Sequence, residues 1–285
     1  MQFLGTAAAD CIPCPFCDCE ICEQARQDPK LLRFRSMFLL DEKNLIDCNP
    51  ELHAATIRFG LNLSQVETVF VTHTHEDHFC PSNSMLLSLS RTRRDVPIHV
   101  FLSEAGYAAV MRLYELVKKD FSHMDAVRDY EAGRVILHPV KVGVPFEHGG
   151  YRVMAVEGRH RVSESELAIN YLFEKDGKRF LYACDTGVYM PESMELLRGK
   201  QIDVLVMECT NDDGPVEKAY SHMNLAGFAH MVDWMLEVEA IRPDTRIYAT
   251  HMAHKRTMSM AETQAWLDEN VRLPVTMAWD GLKIE

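Results

Sequence analysis

The chain has 285 residues, 47% of them apolar, enough to bury a full core in one large domain or two small ones. Thirty basic against forty-two acidic residues leave a formal net charge of −12, which disfavours a binder of phosphate backbones, since such proteins carry a basic stripe. There is no apolar run of about eighteen residues, so no membrane span is expected, and Met1-Gln2-Phe3-Leu4-Gly5 lacks the basic and apolar regions of an export signal.

Two local basic clusters, Arg33/Arg35 and Arg91/Arg93/Arg94, are expected to be solvated faces, which favours a small substrate over a polynucleotide. Nine cysteines is an odd number without an export signal. That places the chain in the reducing cytoplasm, where clustered cysteines usually mean metal.

In chain order, residues 1–36 predict a short strand and then a cysteine-rich loop over about 11–36. Met37–Leu40 and Leu45–Asp47 predict a hairpin around Asp41-Glu42-Lys43-Asn44. Pro50–Phe59 predicts a helix stopped by Gly60. Val66–Val71, apolar and β-branched, predicts a buried strand.

A helix is expected over Pro81–Arg94, a strand over Pro97–Leu102 and a long helix from Ser103 to about Lys119. Residues 120–134 carry no clear pattern. Strands follow at Val135–Val140, Tyr151–Val156, Ile169–Glu174 and Arg179–Ala183, with Asp176-Gly177 as a hairpin turn. Pro191–Leu197 is helical, Asp203–Met207 a buried strand, Ser221–Val238 an amphipathic helix, Arg246–Thr250 a strand, Met258–Asn270 a helix and Val275–Trp279 a last strand. There is no repeat or linker, and the whole chain 1–285 is expected to be one domain. Strand-rich halves with helices between them predict an α/β (α+β) sandwich of two mixed sheets flanked by helices.

The chemistry concentrates in Thr72-His73-Thr74-His75-Glu76-Asp77-His78, directly after the Val66–Val71 strand. In extended backbone His73 and His75 point the same way, while the adjacent Asp77 and His78 can face a second point after a turn. Imidazole and carboxylate together suit Zn, Mn or Fe. A solvated polar loop would not explain why other strand ends repeat the pattern: His160 after Tyr151–Val156, Asp185 after Arg179–Ala183 and His251 after Arg246–Thr250.

The His-x-His-x-Asp-His run resembles the metallo-β-lactamase fold superfamily of hydrolases. The resemblance implies a four-layer αβ/βα sandwich and two divalent metals. His73, His75 and His160 would hold one, Asp77, His78 and His251 the other, and Asp185 would bridge. Oxygen-reducing di-iron members carry Glu where His75 stands, and antibiotic-hydrolysing members use a Cys ligand. With Asp185 in the family position, Cys184 is expected to be a small buried neighbour, and hydrolysis is favoured over redox work.

Cys17, Cys19 and Cys22 form a Cys-x-Cys-x-x-Cys that can wrap a zinc but leaves the tetrahedron one ligand short, and His254 could complete it. Cys11 and Cys14 are two further candidates. The combination resembles phosphodiesterases of the carbon–phosphorus lyase pathway, which open a cyclic ribose phosphate, and implies one structural zinc. In the same comparison His222, in Ser221-His222-Met223-Asn224-Leu225, would sit over the substrate as hydrogen-bond donor or general acid.

The resulting expectation is a dinuclear phosphodiesterase acting on a small phosphorylated substrate by hydroxide attack, with His222 and Asp77 catalytic. No nucleic-acid or membrane partner is expected, and a homodimer is compatible. A carboxyl ester, thioester or lactone hydrolase is the alternative, with a non-catalytic metal binder and a nuclease behind it.

Overall fold

The structure is a computed structural model and describes residues 1–84, 90, 95–120, 125–212 and 214–285. The strands expected from β-branched runs form two sheets. The first contains β1 (Gln2–Gly5), β2 (Met37–Leu39), β3 (Asn44–Ile46), β4 (Thr68–Phe70), β5 (Ile98–Ser103) and β6 (Val135–Val140), side by side in that order. β1, β2 and β3 pair antiparallel, and β3 to β6 run parallel.

The second sheet contains β7 (Phe146–His148), β8 (Tyr151–Arg161), β9 (Leu167–Lys175), β10 (Lys178–Ala183), β11 (Ile202–Glu208), β12 (Ile241–Thr250) and β13 (Val275–Met277). β7 to β10 pair antiparallel and β10 to β13 parallel. β9 turns into β10 through Asp176 and Gly177, both at positive φ (51° and 75°), the conformation a two-residue hairpin needs to match strand twist.

Three buried clusters show how the layers stack. Between the sheets lies an aromatic core in which Phe38 sits 4.8 Å from Phe3 and 5.3 Å from Phe180, ring centre to ring centre. Outside the second sheet pack α5 (Pro191–Leu197), α6 (Leu225–Glu237) and α7 (Met260–Asn270), through Met194, Phe228, Met231 and Leu267. Outside the first pack α2 (Leu52–Phe59), α3 (Glu104–Asp120) and α4 (Asp125–Glu131), through Ala55, Val110, Tyr114 and Val127. Helix, sheet, sheet, helix is the expected four-layer sandwich. No helix among the described residues is long and apolar enough to cross a membrane.

Several local expectations change. The cysteine-rich loop contains a helix, α1 (Glu20–Gln27), which buries Cys22 and Ala25 on one face. β8 continues to Arg161 through a register shift after Glu157, so His160 lies inside a strand and not beyond its end. α6 starts at Leu225, where the Asn224 side chain accepts from Gly227 N at 2.8 Å. That cap stops the helix short of Ser221 and leaves His222 in the loop before it. Of the helix expected over Pro81–Arg94, Pro81–Ser84 is a 3-10 turn, and 85–89 and 91–94 lie outside the described residues. The Arg91/Arg93/Arg94 cluster lies there too. Arg33 is not on a solvated face: it is 8% exposed and donates to Thr6 Oγ1 at 2.7 Å and Ala278 O at 2.6 Å.

Candidate metal centre

Parallel strands deliver their carboxyl ends to one side of a sheet, and ligand sites in α/β proteins form there. β4 leads into His73, β10 into Asp185 and β12 into His251. Asp185 and His251 both adopt positive φ (52° and 62°), as does Asp47 at the end of β3 (60°). A non-glycine residue in this region costs on the order of 1 kcal/mol or more and persists only where its surroundings impose it.

The seven expected ligands meet in one cleft. His73 Nε2 and His160 Nε2 lie 3.0 and 3.1 Å from His75 Nδ1. Asp185 Oδ2 lies 2.8 Å from His78 Nε2 and 3.4 Å from His73 Nε2, and its Oδ1 lies 3.0 Å from His251 Nε2. Asp77 Oδ2 is 3.3 Å from His78 Nε2. The carboxylate of Asp185 therefore stands between the two histidine groups. Cys184 is fully buried, and its sulfur falls in a group with His78, Asp185 and His251.

The opposite edge of each ring is held. His78 Nδ1 donates to Asp47 Oδ2 at 2.7 Å, and Asp47 also accepts from Thr72 N at 2.8 Å. His160 Nδ1 donates to Ser221 O at 3.2 Å. The Thr72 hydroxyl gives its proton to Asp47, and the Thr210 hydroxyl gives its own to Glu208, so these oxygens accept from His73 Nδ1 (3.1 Å) and His251 Nδ1 (2.8 Å). Such partners fix the tautomer and aim the free nitrogen inward. Glu166, 2% exposed, accepts from Thr74 N and Oγ1 at 3.0 and 2.6 Å and so pins the residue between His73 and His75.

The residues fit a pair of cations. With their outer edges committed, His73 Nε2 and His160 Nε2 both present lone pairs to His75 Nδ1, and one proton at most can be shared among the three. His78 Nε2, Asp185 Oδ1, His222 Nδ1 and His251 Nε2 are buried and crowd together, yet none makes a hydrogen bond of acceptable geometry. Buried polar atoms without partners cost on the order of 1–3 kcal/mol each, more when charged; cations at the two foci would remove that cost.

Without cations the charges already polarise one another. Burial opposes ionisation of Asp185, but His251, His78 and His222 outweigh it and hold the carboxyl well below its ordinary value. Burial opposes protonation of His78, and Asp185, Asp47 and Asp77 overcome it, so its pKa lies well above the usual one. His73, buried and facing His78, is driven well below.

His222 crosses the mouth of this cage. Its Nδ1 is 3.1 Å from Asp185 Oδ1 and 3.4 Å from Glu208 Oε2, and its ring lies 4.5 Å from that of His160. Burial lowers its pKa, but the two carboxylates win and raise it to about 11. Glu208 is fully buried and accepts from Thr186 N at 2.7 Å, Gly187 N at 2.8 Å and Met223 N at 3.1 Å.

The second cluster also assembles. One ligand atom each from Cys17, Cys19, Cys22 and His254 falls within 4.8 Å of the others. Ala8 N donates to Met252 O and Met252 N to Thr6 O, tying the segment before the cysteines to the residue after His251. Asp10 Oδ2 lies against His254 Nδ1. Cys11 stands apart with its thiol turned to Pro13 O at 3.5 Å, and Cys14 offers its N–H to Cys22 Sγ at 3.3 Å.

Sequence reasoning missed Glu208, Asp47, Glu166, Thr72 and Thr210. Glu208 had a signal, because it ends the apolar run Val204-Leu205-Val206-Met207 just as Asp185 follows Arg179–Ala183. The threonines had none, since a hydroxyl beside a histidine is common.

Residues 43–252 match the family described as Beta-lactamase superfamily domain. Ribonuclease Z of Myxococcus xanthus is 28% identical over 134 residues, 47% of this chain and 39% of that protein, and ribonuclease Z of Chlamydia abortus 29% identical over 143 residues, 49% and 42%. The match spans about two fifths of the length of these relatives. Among solved structures, a diphosphatase from the PhnP family superposes with a TM-score of 0.72 at 22% identity, covering 99% of this chain and 95% of that one. Zn(2+)-bound PqqB from Methylobacterium extorquens superposes with a TM-score of 0.72 at 20% identity, covering 100% and 99%. Human tRNase Z, short form, gives 0.61 at 20% identity, covering 100% and 98%. With its four-layer sandwich and its cage of histidines and aspartates at the strand ends, the chain belongs to the β-lactamase superfamily and has the metallo-β-lactamase fold.

Proposed function

We propose that this β-lactamase-superfamily hydrolase cleaves a small phosphodiester, cyclic or with an alkoxide leaving group. The observation that carries the reading is His222, backed by buried Glu208, standing over a cage shaped for two cations. His73, His75 and His160 hold one cation, Asp77, His78 and His251 the other, and Asp185 spans both. The donor set admits Zn, Mn or Fe. Bound there, the cations supply Lewis acidity and activate water at neutral pH.

The chain's own residues do the rest. Asp47, Thr72, Thr210 and Ser221 hold the imidazoles in the tautomer that faces inward. Asp77, 12% exposed on its side chain, is the ligand most open to the cleft and takes the proton released by the attacking water. His222 delivers a proton to the departing oxygen, and Glu208 keeps that proton in place. Cys17, Cys19, Cys22 and His254 hold a structural zinc that staples the N-terminal segment beside His251. All nine cysteines are free thiols, which supports the cytoplasmic placement.

RNA hydrolysis is a second reading, supported by the ribonuclease Z relatives. The net charge of −12 and the burial of Arg33 favour the small substrate. Turnover of the metal-loaded chain on bis-p-nitrophenyl phosphate, a cyclic ribose phosphate, p-nitrophenyl acetate, a lactone and a short RNA separates the readings. The phosphodiesters should turn over well ahead of the esters and of RNA. Turnover of acetate or lactone alone refutes the proposal, and RNA ahead of the small diesters transfers it to the second reading.

A further inference from the structure

A second group of histidines lies apart from the catalytic cleft, at the side of the sandwich where both sheets end. β6 is the last strand of the first sheet and β7 the last of the second. His99 is on β5, His138 on β6 and His148 on β7. His99 Nδ1 and His138 Nε2 are 2.8 Å apart, and the His148 ring centre lies 4.8 Å from that of His99 and 6.2 Å from that of His138. Phe101 stacks on His138 at 4.5 Å and packs against His148 at 4.5 Å and Phe146 at 5.0 Å, so an apolar floor supports the rings. All three histidines are half-buried, open to solvent from one side.

We infer that His99, His138 and His148 form an additional site for a borderline transition cation such as Zn²⁺ or Ni²⁺, which pins the edge strand of one sheet to the edge strand of the other. The spacing of the first pair is close to that in the catalytic cage, where inward nitrogens stand 3.0 and 3.1 Å apart. A tetrahedral zinc with Zn–N of about 2.0–2.1 Å separates its donors by roughly 3.3 Å, so His99 and His138 have only to part slightly. Rotation of the His148 ring about its side-chain bonds brings in the third nitrogen. Among the described residues no other group hydrogen-bonds any of the three rings, so their remaining nitrogens are uncommitted. Imidazoles bind metal only when neutral, and burial together with the neighbouring rings lowers the pKa of both His138 and His148. Glu67, whose charge acts on His148, is paired with Lys43 at 2.9 Å and offers a carboxylate at the rim.

The test starts from protein whose tightly held cations have been counted by metal analysis after exhaustive dialysis. Zn²⁺ or Ni²⁺ is then added and binding followed by calorimetry and equilibrium dialysis. Wild type should take up one further equivalent. His138→Gln and His148→Gln should each bind that equivalent at least tenfold more weakly while keeping the tightly held complement. Thermal melts should rise with added metal in wild type and not in the variants, and an anomalous difference peak should stand among the three rings. No further equivalent in wild type, or uptake unchanged in both variants, overturns the site and leaves a hydrogen-bonded histidine pair.

Discussion

Glu208→Gln separates the proposed proton donor from the metal cage. The change conserves shape but removes the charge 3.4 Å from His222 Nδ1. With an effective dielectric of about 20, two unit charges at that separation interact by roughly 5 kcal/mol. This is an upper bound, because Glu208 also accepts from three backbone N–H groups and Thr210. Even a third of it exceeds the ~1.4 kcal/mol of one pKa unit.

The sign follows from His222 being held protonated, raised to about 11, by two carboxylates. Removing one lowers that pKa, so the acid form is lost earlier as pH rises. The alkaline limb of kcat should therefore move to lower pH by about one unit or more, and turnover at neutral pH should fall by about 10–10²-fold, at or below the low end for losing an acid–base group. The assay is kcat over a range of about pH 6–10 on a phosphodiester with an alkoxide leaving group, with metal content measured on the same samples. On bis-p-nitrophenyl phosphate the loss should nearly vanish, since nitrophenolate leaves without a proton. Equal losses on both substrates, or an unmoved alkaline limb at full metal content, would refute the proton-delivery role.

Asp185→Asn should release metal and abolish turnover, with a loss of affinity exceeding the 10–100-fold typical of an outer partner; metal analysis after dialysis checks it. Asp47→Asn removes only the carboxylate behind His78 and should weaken metal binding by about that 10–100-fold, read by competition with a chelator. Cys19→Ser should lose one tightly held zinc per chain and lower the melting temperature by roughly 5 °C or more, while the catalytic metals stay; unchanged zinc content removes the structural site. Phe38→Ala, at a fully buried ring packed on Phe3, Phe180 and Tyr182, should cost about 3–5 kcal/mol in denaturant unfolding, with metal content unchanged.

Much of the fold was legible because its signals are local. The β-branched runs, the Asp176-Gly177 turn and the Gly60 stop each act within a few residues. The expected helix over Ser221–Val238 began too early because apolar periodicity runs past the cap, and only the Asn224 side chain marks where the helix starts. His160 was found by its residue type but misplaced relative to its strand, because a register shift leaves no mark in hydropathy.

The sequence by itself determined the donor types, the strands that end in them and the cysteine spacing, since these depend on neighbours along the chain. Tertiary structure alone decided that His254 reaches Cys17, Cys19 and Cys22, that Glu208 stands behind His222, and which nitrogen of each ring faces inward. The reason is physical: a ring's tautomer is set by the group on its far edge, and that group usually comes from a strand or loop distant in sequence, brought there by packing of the two sheets.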